Sequence, residues 1–253
     1  MPKLSATVIL LFLAALSAPA TWVEKDSRSE SSTATSVSHR QVVLEDSETG
    51  KRATLQLAIL STKSCKLRVI DNRDGASGLA EAMRSANCLA GVNGGYFDPD
   101  FAPLGLRIAG GKTTARLTRG RLLSGVLASN GSIQILRVGE FSPRQKFNAA
   151  VECGPFLVDL GDRVRGLEAT RAARRTFVAI ERGDRVALGF CSEVSLADLS
   201  RILVGSLGDF KVQRALNLDG GSSSAFWFKR KDGSAFSIPE QKSVRDFVGV
   251  VSK

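Results

Sequence analysis

Apolar positions along the chain fall mostly into short runs bounded by turn residues, and only twice into helical spacing. Residues 54–59 and 66–70 alternate apolar and polar side chains closely enough to predict strands, with Leu67 and Val69 on one face of the second. Residues 89–92 form a short apolar run that enters a glycine turn, the pattern of a buried strand. Residues 125–128 and 132–138 flank Asn130-Gly131, which predicts a hairpin with a type I′ turn because both residues tolerate positive φ. A second hairpin is predicted from 176–180 and 186–190 around Arg182-Gly183-Asp184. Residues 215–218, 224–228 and 247–251 complete the strands. Helices are predicted at 78–85 and 195–207. In the second, Ser195 caps the first turn, Asp198 sits at the third position, and Leu196, Leu199, Ile202 and Leu203 share a face. No repeat has a solenoid or propeller period. Strands without regular βαβ units predict an α+β class: one strand-rich domain with a mixed or antiparallel sheet and a few helices.

The N-terminus changes this picture. Lys3 precedes an apolar run over 8–16, and Ala18-Pro19-Ala20 supplies small residues in the spacing of a cleavage site. Residues 1–20 therefore read as an export signal removed after Ala20, and the run is short of the ~20 apolar residues that span a bilayer. The mature chain is expected in the periplasm or outside the cell, with no integral membrane span. Its oligomeric state is not legible. Residues 21–40 are mainly Ser, Thr and charged residues and predict a disordered spacer, because they bury too little to offset ordering entropy. Residues 41–253 remain for a single domain.

Four cysteines in an exported chain predict two disulfides, Cys65–Cys88 and Cys153–Cys191, with free buried thiols as the alternative. The net charge of +10 attracts polyanions, but the cations are scattered and little interleaved with aromatics, so nucleic acid is not an expected partner. His39, the only histidine, lies in the predicted spacer. That leaves no Ser-His-Asp triad and no histidine-based zinc site, so acid–base chemistry falls to carboxylates.

Three segments carry candidate chemistry. In Asn93-Gly94-Gly95-Tyr96-Phe97-Asp98 a strand ends at paired glycines, then an aromatic pair and a carboxylate. In Asn217-Leu218-Asp219-Gly220-Gly221-Ser222 another strand ends in Asn, Asp and glycines that can present backbone N–H groups to an anion. Arg174-Arg175-Thr176 opens a strand with an arginine able to hold a phosphate bidentately. Each segment alone also fits a tight turn or a solvated basic loop.

In this order, and with Gly154-Pro155-Phe156 between them, the segments resemble the phosphodiester glycosidase family over roughly residues 89–251. Bacterial members of that family are often labelled exopolysaccharide biosynthesis proteins. The resemblance implies hydrolysis of the glycosidic bond of a sugar-1-phosphodiester, of the N-acetylglucosamine-1-phosphodiester kind, in exopolysaccharide or a cell-envelope glycan. It brings Asp98, Arg175 and Asp219 to one cleft, and the chemistry then makes Asp219 and Asp98 the candidate carboxylates and Arg175 the candidate for the phosphate charge. Asn93, Gly94, Gly95, Tyr96, Thr176, Asn217, Gly220, Gly221 and Ser222 would bind substrate. Ala173-Arg174 stands where the family usually has Asn-Pro, and Arg245-Asp246 departs from its terminal pattern. Two other readings use the same residues: a non-catalytic module binding acidic polysaccharide, and a phosphodiesterase that cuts P–O with a divalent cation on Asp98 and Asp219.

Overall fold

The computed structural model describes residues 22–32 and 36–253. The first twenty residues, read as an export signal, lie outside them. Strands β1 (Trp22–Ser31), β2 (Val37–Asp46) and β3 (Arg52–Ser61) open the chain as an antiparallel meander. Then come β4 (Cys65–Asp71), α1 (Leu79–Ser85), β5 (Ala90–Asn93), β6 (Arg107–Ala109) and β7 (Lys112–Ala115). Next are β8 (Gly125–Ser129), β9 (Ile133–Arg137), β10 (Ala149–Cys153), β11 (Phe156–Asp159) and β12 (Asp162–Arg163). The long hairpin β13 (Ala173–Glu181) and β14 (Arg185–Val194) leads into α2 (Leu196–Gly205). β15 (Val212–Asn217), β16 (Phe226–Lys229), β17 (Ala235–Ile238) and β18 (Asp246–Ser252) finish the chain.

Three sheets result, with every strand pair antiparallel. The largest runs β1-β2-β3-β14-β13-β15-β11-β12; the others are β7-β6-β10-β8-β9 and β17-β16-β5-β18-β4. The inner faces of all three meet in one core, which holds Leu60 and Leu188 from the first, Leu127 and Val151 from the second, and Val92 and Val248 from the third. The outer face of the large sheet is closed by α2 through Leu199, Ile202 and Leu203. α1 closes the outer face of the β5–β18 sheet through Leu79, Ala82 and Met83. The α content is thus two short helices on outer faces of a strand-rich fold. Ser195 caps α2 as expected, its hydroxyl accepting the Asp198 N–H at 3.0 Å.

The structure corrects three expectations. The β8–β9 hairpin forms, but Ser129 pairs with Ile133, so the loop has three residues and not a two-residue type I′ turn. Within that loop only Gly131 has positive φ (+116°). Residues 22–31 and 37–40 are not spacer but strand: the polar β1 is the edge of the large sheet, where solvated side chains are normal, and it is anchored by buried Trp22. His39 is buried on β2, bonded to Glu30 at 2.9 Å and Gln56 at 2.7 Å, and packed against Phe226, Phe228 and Phe236.

The cysteines are free, not paired. Cys65 packs in the central core, whereas Cys88 lies across the β5–β18 sheet with α1; Cys153 faces the central core, whereas Cys191 packs with α2. Each expected pair is therefore divided between different cores. Burial pushes the Cys88 thiol up to about 11 and Cys153 to about 12, and raises Cys65 and Cys191 as well. All four thiols are expected to resist alkylation in the native protein and all to react, without reductant, once it is unfolded. Mass spectrometry reads this directly, and fewer than four adducts after unfolding would contradict the assignment.

Candidate active site

The three motifs meet where β5 and β15 end and β13 begins. Asn93, fully buried at the end of β5, ties them together. Its Oδ1 accepts the Thr176 hydroxyl at 2.7 Å and the Ala225 N–H at 3.0 Å, and its Nδ2 donates to the Asp219 carbonyl at 2.7 Å. Asn217, at the end of β15, donates through Nδ2 to the Gly154 carbonyl at 3.0 Å and to the Tyr96 hydroxyl at 3.1 Å. The Tyr96 hydroxyl in turn donates to Gly154 at 2.6 Å. Burial, then the charges of Cys153 and Asp219, raise the Tyr96 pKa, so this phenol stays protonated. These buried hydrogen bonds hold the loop that follows in place, while Asn217 Oδ1 has no partner within the network.

That loop carries Asp219, half-buried. Burial is the main cause that raises its pKa above 3.8; the nearby charge of Asp246 adds to it. The Ser223 hydroxyl, the Gly220 N–H (2.9 Å from Oδ1) and the charge of Lys242 pull the other way. Arg175, buried at the start of β13, donates Nε to the Val194 carbonyl at 2.9 Å and Nη2 to the Arg171 carbonyl at 2.6 Å, and stands 3.6 Å from Glu168. Its Nη1 turns toward the glycine loop: a Cβ on Gly220 would sit 3.9 Å from it. Gly220, Gly221 and Ser222 are partly open to solvent beside it. Among the described residues, the buried atoms without a well-formed hydrogen bond include three around this loop, Asn217 Oδ1, Ser223 Oγ and Ser224 Oγ.

Behind the loop lies a buried ion pair. Arg107 Nε donates to Asp246 Oδ2 at 2.6 Å, and both residues are 2% exposed. Arg107 also donates to the carbonyls of Leu106 (2.9 Å), Glu152 (3.1 Å) and Tyr96 (3.0 Å). Asp246 accepts the Gly95 N–H through Oδ1 at 3.0 Å, and its carbonyl accepts the Gly94 N–H at 2.8 Å. Glycine is required at both positions. A Cβ on Gly94 would fall 1.7 Å from Asp246 Oδ1, and one on Gly95 would fall 2.0 Å from Arg107 Nη2. The Gly94 carbonyl then accepts the Asp219 N–H at 3.1 Å, so the ion pair positions Asp219 through one glycine.

Asp219, Arg175, Gly220, Gly221 and Ser222 are therefore gathered around one partly open loop. Asn93, Thr176, Asn217, Gly94 and Gly95 are buried, so their direct role is to position that loop, and the Tyr96 hydroxyl is taken by Gly154. Asp98 is used differently: its Oδ1 closes its own turn on the Ala102 N–H at 2.9 Å. The carboxylate whose charge reaches Asp219 is Asp246. Sequence reading assigned no role to Arg107, Asp246 or Lys242. Arg107 had a signal: a lone charge inside an apolar strand run, Leu106-Arg107-Ile108, marks a buried and hence paired ion, whereas Asp246 follows Arg245 and carries no such mark. Lys242 had none. Among the described residues no three His, Cys, Asp or Glu side chains converge as a metal site.

A sequence model of the phosphodiester glycosidase family matches residues 86–251. The fold is similar to the zebrafish N-acetylglucosamine-1-phosphodiester alpha-N-acetylglucosaminidase catalytic domain auto-inhibited by pro-peptide. The TM-score is 0.67 at 15% identity, with 92% of this chain and 89% of that chain covered. It is also similar to a hypothetical protein from Synechocystis (TM-score 0.59, 16% identity, 86% of this chain and 62% of that one). A putative exported protein from Burkholderia pseudomallei K96243 matches as well (TM-score 0.57, 12% identity, 81% and 75%). No curated protein matches the sequence. With the family match spanning well over half of its length, the chain belongs to the phosphodiester glycosidase family.

Proposed function

We propose that the protein hydrolyses the bond between an anomeric carbon and the phosphate of a sugar-1-phosphodiester in exported or envelope glycan. The observation that carries this reading is Asp219, a carboxylate with a raised pKa, held by a buried network in the loop whose next residue, Gly220, faces Nη1 of the Arg175 guanidinium. Asp219 either attacks the anomeric carbon or takes the proton of the attacking water. The C–O bond breaks, the sugar keeps the incoming oxygen, and a phosphate monoester departs. Arg175 neutralises the charge that gathers on that leaving group. A phosphate monoester leaves readily, so strong general-acid help at its oxygen is not needed. This suits a site where Asp98 is occupied in its own turn.

The test is turnover of an N-acetylglucosamine-1-phosphodiester and a panel of other sugar-1-phosphodiesters in heavy-oxygen water. Label on the sugar is the expected result. Label on phosphate would mean P–O cleavage and favour a cation-assisted phosphodiesterase, and no turnover would favour a polysaccharide-binding module.

Lys242 gives a graded check on Asp219. It is exposed, stands 5.6 Å from the Phe97 ring centroid, and its charge favours the ionised carboxylate. Removing that charge in Lys242→Met raises the Asp219 pKa further. The acid limb of kcat/KM is then expected to move to higher pH, with turnover well above that limb little changed. A pH–rate profile reads this, and an unmoved or lowered limb would separate Asp219 from the titration.

A further inference from the structure

The outer face of the β6–β10 sheet carries a feature that hydrolysis does not use. Lys112, Arg116, Arg119, Arg121, Arg144 and Lys146 are all exposed, and none has an ion-pair partner among the described residues. The one acid in residues 104–148 is Glu140, and Arg214 holds it at 2.6 Å. Between these cations the surface is mixed, with apolar side chains prominent. Two adjoining clefts, of about 570 and 620 Å³, share Leu117, Phe141 and Pro143. Arg119 and Leu123 line one of them, Arg116 and Lys146 the other. Leu122, 63% exposed, projects from the same loop as Arg119 and Arg121.

We propose that this face docks on an anionic lipid bilayer surface. Uncompensated cations on one face lower the free energy of approach to acidic headgroups. A projecting leucine beside apolar clefts gives what a purely ionic contact with a polysaccharide does not use, a side chain that enters the headgroup boundary. Stacking of nucleic-acid bases would need open aromatic rings, and here Phe141 and Phe147 are 7% and 4% exposed. The loop also leads to the site: the Thr118 N–H donates to Glu152 at 2.9 Å, and the Ser124 N–H to Cys153 at 3.0 Å, next to the Gly154 that Tyr96 and Asn217 hold. A docked molecule would thus present the Asp219 loop close to the membrane surface.

The experiment is co-sedimentation of the mature protein with vesicles of phosphatidylcholine alone or with one third phosphatidylglycerol, at low and high salt. Binding is expected only with phosphatidylglycerol, and weaker at high salt as screening shortens the reach of the charges. The triple variant Arg119→Glu, Arg121→Glu, Arg144→Glu is expected to lose about tenfold or more of this partitioning. Its hydrolysis of a soluble sugar-1-phosphodiester should be unchanged, so this test stands apart from the enzymatic one. Leu122→Asp, a single exposed change, is expected to weaken binding at both salt concentrations. Any of four results would overturn the proposal: equal binding to neutral vesicles, no vesicle binding alongside capture by a soluble acidic polysaccharide, a triple variant that still binds, or an indifferent Leu122→Asp.

Discussion

Asp219→Asn is expected to lose about 10²–10⁴-fold in turnover of a sugar-1-phosphodiester, the range that a positioned acid–base or nucleophilic group supplies. The protein should keep, or slightly gain, thermal stability at neutral pH. Asparagine retains an oxygen to accept the Gly220 N–H that now lies 2.9 Å from Oδ1. It also retains the backbone through which residue 219 donates to Gly94 and accepts from Asn93. What it removes is the charge. The folded-state pKa of Asp219 is raised, mainly by burial, so the protonated form is the one the fold prefers. Its contribution to stability is therefore fully present below the ordinary aspartate range and is lost as pH rises through the raised value. At neutral pH the ionised carboxylate costs stability that the variant does not lose, and at pH below the ordinary range the two proteins should melt alike. Loss of activity with unchanged melting identifies a functional carboxylate. Full activity in the variant would remove Asp219 from the mechanism, and a lower melting temperature would make it a structural turn residue.

Much of this site was legible because its parts sit at strand ends. Asn93 and Asn217 each terminate an apolar run before paired glycines, and short strands with such punctuation can be read locally. The roles within the motifs were not legible. Asn93 and Thr176 look like substrate ligands until the register places the Thr176 hydroxyl 2.7 Å from Asn93 Oδ1, with both residues fully buried. The N-terminal strands were missed for a different reason. β1 reads WVEKDSRSES, and an edge strand needs no alternation to be held by its neighbour, so composition pointed to disorder. β2 did carry the signal, since Val37, His39, Val42, Leu44 and Asp46 are its buried positions, but its polar members hid the period. His39, placed in a spacer by composition, sits instead in β2 with its ring nitrogens bonded to Glu30 and Gln56. Pairings that bring β18 beside β5 join residues far apart in sequence, and no local pattern encodes them.

Asp246→Asn is expected to destabilise the fold by about 3–5 kcal/mol, because it strands the Arg107 guanidinium in a buried position. For a domain of this size that corresponds to a fall in Tm of roughly 6–20 °C. The size follows from how completely the arginine is enclosed. All three of its nitrogens donate inside the protein, Nε to Asp246, Nη1 to the carbonyls of Leu106 and Glu152, and Nη2 to that of Tyr96, and the residue is 2% exposed, so it cannot turn toward water when its counter-charge goes. Arg107→Lys should be nearly as damaging, since an ammonium cannot reach acceptors that a planar fork spans. The paired variant Arg107→Met with Asp246→Leu should recover part of the loss, because an apolar pair removes both buried charges together. It should not recover activity, for the Gly95 N–H then lacks the Asp246 carboxylate and the Gly94 carbonyl that receives Asp219 is no longer held in place. Denaturant melts and kcat/KM on the three variants separate these effects. Single variants within about 1 kcal/mol of the parent would show that the ion pair is dispensable. Restored turnover in the double variant would show that Asp219 does not depend on the platform beneath it.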